Sequence, residues 1–302
     1  MEILKGKTAF ITGGASGLGL GIAKACADEG MNVVLADMRQ SAIDEALPIF
    51  KAKGSPALGI RLDVTDREAY AAAADAAEKA FGNIHVLINN AGIAGGGGPL
   101  YGVSPRETDL SISVNITAVL NGIQIIVPRM LKHGEPSYVV STASKAGLVP
   151  CWGTALYNVT KAAVITMMES LAIDLDGTNV GSAAFCPGPH ETSLGASSSQ
   201  VAAEKLGEAP IERLEIDPDA PPMFDMSVLR SPDEAGRRVV RGIKRGDLYI
   251  LTHIEFKKGF EARAAAISRA FPNDEPDDAF IKEFPYLIGN KIFDKQTEVP
   301  AL

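Results

Sequence analysis

Thr12-Gly13-Gly14-Ala15-Ser16-Gly17-Leu18-Gly19 is the stretch on which the reading of the fold turns. It joins a short apolar run, residues 7–12, to residues 18–29, whose apolar positions follow a helical period. Glycines let a backbone turn sharply and pass close to a phosphate, and a helix N-terminus offers unpaired N–H groups with a positive dipole. A glycine-rich turn alone is often only a turn. Set between a strand and a helix, this one is an expected cradle for a pyrophosphate, with Gly13, Ser16, Gly17, Leu18 and Gly19 as its contacts.

The same alternation continues outward. Short runs rich in Val, Ile and Ala at residues 32–36, 57–62, 85–89, 138–141, 180–185 and 248–251 read as further strands. Helical patterns fall between or after them at 41–53, 66–81, 157–174, 232–245 and 255–270. Strands apolar on both faces and separated by helices imply a parallel sheet covered on both sides. The expected class is therefore α/β: a doubly wound, Rossmann-type parallel sheet with helices on both faces and a helical C-terminal extension. Such sheets bind ligands beyond the carboxyl ends of their strands. One domain is expected over 1–302. Residues 5–192 form its cofactor and catalytic core, 193–230 a substrate lid, and 231–302 the last helix, last strand and extension.

Composition narrows the class. A net charge of −8 argues against nucleic acid as a partner, because phosphate binding needs clustered Lys and Arg. Apolar stretches are broken by polar residues short of the ~20 needed to span a bilayer, so no membrane partner is expected. The opening Met1-Glu2-Ile3-Leu4-Lys5 lacks the features of a secretory signal. Cys26, Cys151 and Cys186 have neither disulfide nor zinc spacing, which points to small buried side chains, no metal and a cytoplasmic location.

Residues at successive strand ends extend the cofactor site. Asp37 ends the second strand about 20 residues past the glycines, where a carboxylate accepts from the adenosine ribose hydroxyls and repels a 2′-phosphate. NAD is therefore expected over NADP, although Arg39 lies nearby as a possible phosphate partner. Asp63 with Val64 after the third strand, and Asn90-Ala91-Gly92 after the fourth, are expected along the adenosine.

The chemistry is expected at Tyr157-Asn158-Val159-Thr160-Lys161, where i, i+4 spacing puts Tyr157 and Lys161 on one helix face. An ammonium beside a phenol favours the phenolate, whose free pKa is about 10, and so makes an acid or base near neutral pH. Ser144, just past the strand at 138–141, is placed to donate to a substrate carbonyl. Asn115, in a helical stretch after the fourth strand, is a candidate anchor for a water linking Lys161 to solvent. Pro187, Gly188 and Thr192 follow the strand at 180–185 and are expected to close over a nicotinamide.

In this order and at this spacing, over roughly residues 5–192, the chain resembles the short-chain dehydrogenase/reductase family. The matching residues are the Thr12 to Gly19 loop, Asp63, Asn89 to Gly92, Asn115, Ser144, Tyr157, Lys161 and Pro187-Gly188. The resemblance implies Tyr157 as general acid/base, Ser144 as the group polarising the carbonyl, Lys161 on the nicotinamide ribose, and Asn115 in a proton relay. It also implies a seven-stranded sheet and a homo-oligomer, tetramer or dimer. Ala143 stands where many members carry a second serine, and His190 where an aliphatic residue is usual.

The substrate is read from residues 95–101, 149–154 and the region after Thr192, which are expected to wall its pocket. Trp152 and His190 are the candidate substrate contacts there, beside Ser144 and Tyr157. Leu148, Pro150 and Cys151 add apolar character, which suits a bulky, apolar or aromatic secondary alcohol or its ketone. The stretch at 246–251 and the helix that follows resemble the C-terminal part of aryl-ether Cα-dehydrogenases, which implies a benzylic alcohol. An NADP-preferring ketoreductase, a hydroxysteroid dehydrogenase and a non-catalytic dinucleotide sensor are the alternatives. The last of these typically lacks the tyrosine and lysine retained here.

Overall fold

The computed structural model describes residues 4–95, 97–207 and 226–298. Its strands are β1 (Thr8–Thr12), β2 (Asn32–Asp37), β3 (Ala57–Arg61), β4 (Val86–Asn89), β5 (Ser137–Thr142), β6 (Val180–Cys186) and β7 (Tyr249–Leu251). They form one parallel sheet in the order β3-β2-β1-β4-β5-β6-β7. The order reverses between β1 and β4, which opens a crevice at the carboxyl ends of those strands. Strands β1, β4 and β5 are buried along their whole length, as a central parallel strand must be when helices cover both faces.

The helices are α1 (Gly17–Asp28), α2 (Gln40–Ala52), α3 (Arg67–Phe81), α4 (Pro105–Ile112), α5 (Ala118–His133), α6 (Lys145–Leu148), α7 (Ala155–Asp174), α8 (Leu194–Leu206), α9 (Pro232–Arg245), α10 (Lys257–Ser268), α11 (Asp278–Glu283), α12 (Pro285–Ile288) and α13 (Lys291–Glu298). One apolar core lies between the sheet and α1, α2 and α9, around Ile11, Leu35, Ile22 and Val239. A second lies on the other face against α3, α5 and α7, around Phe10, Leu87, Val139 and Met168. Helices α1 and α9 cross closely: a β-carbon on Gly21 would sit 2.1 Å from the Pro232 carbonyl oxygen. Any side chain there would drive the two helices apart.

Two sequence expectations change. Residues 193–230, expected as a substrate lid and given no helix in the sequence reading, carry α8 near their start; residues 208–225 lie outside the described residues. Leu194 and Val201 lie seven residues apart, and Val201, Ala202 and Leu206 pack on Ile93, Leu110 and Val114, so an apolar stripe forms the helix. The run Pro105–His133 is long and apolar enough by composition to cross a bilayer, contrary to the reading of interrupted stretches. It is a core element instead, with 56% of its most apolar window buried inside the fold. The helix beginning near residue 255 is α10, and α11, α12 and α13 follow it.

Candidate active site

A cavity of about 460 Å³ runs along the carboxyl ends of the strands, from the glycine loop to the start of α7. Its cofactor end is built on the β1–α1 turn. Gly13 and Gly17 hold φ of 59° and 50°, and a β-carbon on Gly19 would lie 2.0 Å from the Gly13 carbonyl oxygen. The turn is therefore closed to side chains at its tightest point. Ser16 precedes α1 without capping it, which leaves the helix N-terminus facing the cavity with donors to offer.

Asn90 staples this turn to the rest of the crevice. Its N–H donates to Thr12 Oγ1 at 2.9 Å, and its amide donates to the carbonyls of Thr12 and Gly13 at 3.1 and 3.3 Å. Thr142 at the end of β5 donates to Asn90 Oδ1 at 3.3 Å. Asp37 is buried at the end of β2, where its carboxylate accepts from the N–H groups of Ala15 (3.4 Å) and Arg39 (3.1 Å). Arg39 reaches across to Ser16 Oγ at 2.7 Å, and its Nε lies 3.6 Å from Asp37.

Asp63 accepts from Thr65 N–H and hydroxyl at 3.0 and 2.7 Å and pairs with Lys205 of α8. Burial raises its pKa, but the bonds from Lys205 and Thr65 outweigh that and hold the carboxyl below its ordinary value. Lys205 was not anticipated. With Leu194, Ser197 and Val201 it lines the cavity from α8, and Ser198 Oγ of the same helix accepts from Ala94 N–H at 2.8 Å. The spacing 194, 197/198, 201, 205 is the signal for a helix face over the crevice; Ala- and Ser-rich composition obscured it.

At the other end, Tyr157 and Lys161 stand one turn apart on α7, with Lys161 Nζ 5.5 Å from the centre of the tyrosine ring. The Lys161 ammonium donates to the Thr142 carbonyl at 2.7 Å. Burial lowers its pKa from 10.5 to about 8, so it is still charged at neutral pH. Burial raises the Tyr157 phenol above its ordinary range, and the Ser144 hydroxyl pulls it back down. The protein alone therefore leaves the phenol protonated; the expected lowering by Lys161 does not dominate. Ser144 caps α6, its Oγ accepting from Ala146 N–H at 3.1 Å, which leaves the hydroxyl proton free to point into the cavity.

Asn115 lies in a π-helical turn, Ser113–Thr117, between α4 and α5. Its side chain accepts from Ile93 N–H (2.8 Å) and donates to Ile93 carbonyl (2.9 Å) and Thr160 Oγ1 (3.1 Å). Those bonds make Asn115 a strut between the crevice loop and α7. The extra residue of the π turn is what brings it inward.

Val64, Ala91, Gly92, Pro187, Gly188 and Thr192 all line the cavity, as does Leu18. Trp152 does not. Its side chain is fully exposed, because Gly153 (φ 77°) turns the chain just after it, and Cys151 and Thr154 form the wall instead. Cys151 is therefore a half-buried wall residue rather than a core one, whereas Cys26 and Cys186 are buried thiols pushed up to about 12 by burial. Of residues 95–101, which were expected to wall the pocket, those described lie outside the lining, with Tyr101 almost fully exposed. His190 is buried beside the Pro187-Gly188 turn, with Nδ1 2.8 Å from the Gly188 carbonyl and its ring edge-on to His253. Among the described residues, no cluster of His, Cys, Asp and Glu is arranged to hold a metal.

Comparison with known proteins agrees with this geometry. The sequence profile of the short chain dehydrogenase family matches residues 7–202. A Cα-dehydrogenase of a Sphingobium species is 32% identical over 271 residues, covering 88% of this chain and 87% of that one, well past the end of the profile. A short-chain dehydrogenase/reductase of Burkholderia phymatum, solved with NAD, superposes with a TM-score of 0.80 at 32% identity over 92% of this chain and all of that one. A short-chain dehydrogenase of Burkholderia cenocepacia, solved with NADP, gives 0.67 at 26% identity over 83% of this chain and 97% of that one. Glycine turn, strand order and the tyrosine–lysine helix thus lead to one conclusion: the chain belongs to the short-chain dehydrogenase/reductase family, oxidoreductases of alcohols and ketones.

Proposed function

We propose that the chain is an NAD-dependent dehydrogenase of a bulky, apolar or aromatic secondary alcohol, acting in the cytoplasm as a homo-oligomer. The observation that carries the reading is that one cavity joins the Asp37 carboxylate at one end to Tyr157, Ser144 and Lys161 at the other. The glycine turn that no side chain can enter and the uncapped α1 N-terminus fit a pyrophosphate; Asp37 fits unsubstituted ribose hydroxyls.

When bound, NAD supplies the hydride acceptor. The chain's own residues handle the proton and the position. The Ser144 hydroxyl donates to the alcohol oxygen, which aims the O–H at Tyr157 Oη. Tyr157 takes that proton as its base form, and returns one to the carbonyl oxygen in the reverse direction. The Lys161 ammonium and a neighbouring cationic ring favour the phenolate that burial opposes. Helix α8 serves as the lid, tied over the site through Lys205 to Asp63 and Ser198 to Ala94. Ile93, Val114, Leu194 and Val201 give the substrate end its apolar character. The resemblance of the C-terminal part to aryl-ether Cα-dehydrogenases supports an aryl-bearing alcohol, and a Cα-dehydrogenase is among the relatives.

Arg39 is the observation favouring NADP. It is tied to Ser16 and Asp37, and Asp37 would face a 2′-phosphate with like charge. A spectrophotometric screen of benzylic, steroid and aliphatic secondary alcohols with NAD and NADP tests the proposal. The expected result is NADH production with aryl alcohols. Turnover confined to NADP or to small aliphatic alcohols would overturn it.

A further inference from the structure

Between residues 260 and 288, every side chain except Phe284 is exposed. This excursion is not a loose tail, because both its ends are anchored. At its root, Phe256 lies under Lys145 (4.9 Å from ammonium to ring centre), and a β-carbon on Gly259 would meet Val149 at 3.2 Å. At its return, Ile292 of α13 is buried and Gln296 Oε1 accepts from Leu248 N–H at 2.5 Å. What lies between stands off the body. A 12-residue helix such as α10 is marginal in water unless an apolar face is covered.

Such a face is present. Phe260, Ala264, Ile267 and Phe271 recur at i, i+4, i+7 and i+11, one stripe along α10 and the turn after it. Further on, Phe280, Phe284 and Tyr286 form an aromatic group with ring centres 5.0 and 6.3 Å apart, and Tyr286, Leu287 and Ile288 are largely exposed.

Charge identifies what covers these patches. The first half carries Lys257, Lys258, Arg263 and Arg269 against a single acid, Glu261. The second half carries Asp274, Glu275, Asp277, Asp278 and Glu283 against a single base, Lys282. An anionic lipid surface or nucleic acid would be attracted by one half and repelled by the other. A second copy, related by a two-fold axis, would set each basic α10 along the other's acidic segment and each stripe against the other's aromatic group.

We propose that residues 257–288 form an arm that pairs antiparallel with the same arm of a second copy. The proposal deepens the homo-oligomer reading and rests on it. Because the arm's root packs against Lys145 and Gly188, which line the cavity, the paired arms also fix that rim.

The test is hydrogen exchange of the full chain over a concentration series, with mass measured by light scattering. Arm amides are expected to be protected in the oligomer and to lose that protection on dilution. Arg263→Glu/Arg269→Glu, or Asp274→Lys/Glu275→Lys, should each remove arm protection, and the combined four-fold variant should restore it. An oligomer whose arm exchanges freely, or whose protection ignores both reversals, overturns the arm pairing while leaving the oligomer. A monomer at every concentration overturns both. Protection appearing only with added anionic vesicles or another protein also overturns the pairing.

Discussion

The two ends of the sheet contain similar residues put to opposite uses. At the amino ends of the strands, Glu135 pairs with Lys7, accepts from Asn83 at 2.8 Å and bonds His85 at 3.2 Å, while the other His85 ring nitrogen accepts from Thr8 N–H at 3.2 Å. Every group there has a partner, and the Glu135 carboxyl is held down to about 2 by the bonds from Lys7, Asn83 and His85. At the carboxyl ends, a buried lysine is pushed down to about 8, a half-buried phenol is pushed up, and buried His190 Nε2 has no hydrogen-bond partner among the described residues. One end uses its polar groups to hold strands together. The other shifts their proton affinities through burial, as a site tuned for proton transfer does.

That contrast can be broken at either end. The largest effect expected is from Tyr157→Phe, which should lower turnover by roughly 10²–10⁴-fold while the dissociation constant for NAD stays unchanged, since only proton transfer is lost. Near-normal steady-state rates would remove Tyr157 from its assigned role. Asp37→Ala deletes a charged hydrogen-bond acceptor and should raise KM for NAD by about 10–100-fold. It should also narrow the preference for NAD over NADP; an unchanged NAD:NADP ratio would mean Asp37 does not read the ribose.

The next test concerns stability, and the two ends should respond with opposite sign. Lys161 has a folded pKa below its unfolded value, so charging it opposes folding fully below about pH 8, and this penalty fades as pH rises toward 10.5. Lys161→Met should therefore abolish turnover yet stabilise the fold at pH 7, by up to about 3 kcal/mol. The gain should shrink above pH 8 in denaturant titrations. A destabilised Lys161→Met protein would show that the ammonium's bond to Thr142 outweighs its burial. Glu135→Gln gives the smallest effect. The folded pKa of Glu135 lies below the ordinary 4.5, so its contribution is present above that pH and lost as pH falls toward 2. The variant should melt a few degrees lower at neutral pH, with the gap closing in acid and kcat unchanged.

Much of the carboxyl end of the sheet was legible in the sequence because its chemistry is tied to periodic elements. Strand ends follow from apolar runs, so Thr12 to Gly19, Asp37, Asp63 and Asn90 could be ordered along one edge, and i, i+4 spacing joined Tyr157 to Lys161. What escaped depends on tertiary geometry. Trp152 looked like a pocket wall because it lies five residues before Tyr157; a positive-φ glycine after it sends it to solvent. Asn115 lies in the right place, but only the π turn and the Ile93 contacts give its side chain a job. Lys205 was invisible because an Ala- and Ser-rich helix carries little apolar contrast, and its partner Asp63 is 142 residues away.

The bond from Leu248 N–H to Gln296 also bears on solubility. Strand β7 is a margin of the sheet, three residues long, and a bare margin offers its hydrogen-bonding row to any extended chain that drifts past. A side-chain amide reaching back from the final helix fills that row at Leu248 and, at 3.4 Å, at Tyr249. The last turns of the polypeptide thus act as a stopper against strand-on-strand polymerisation.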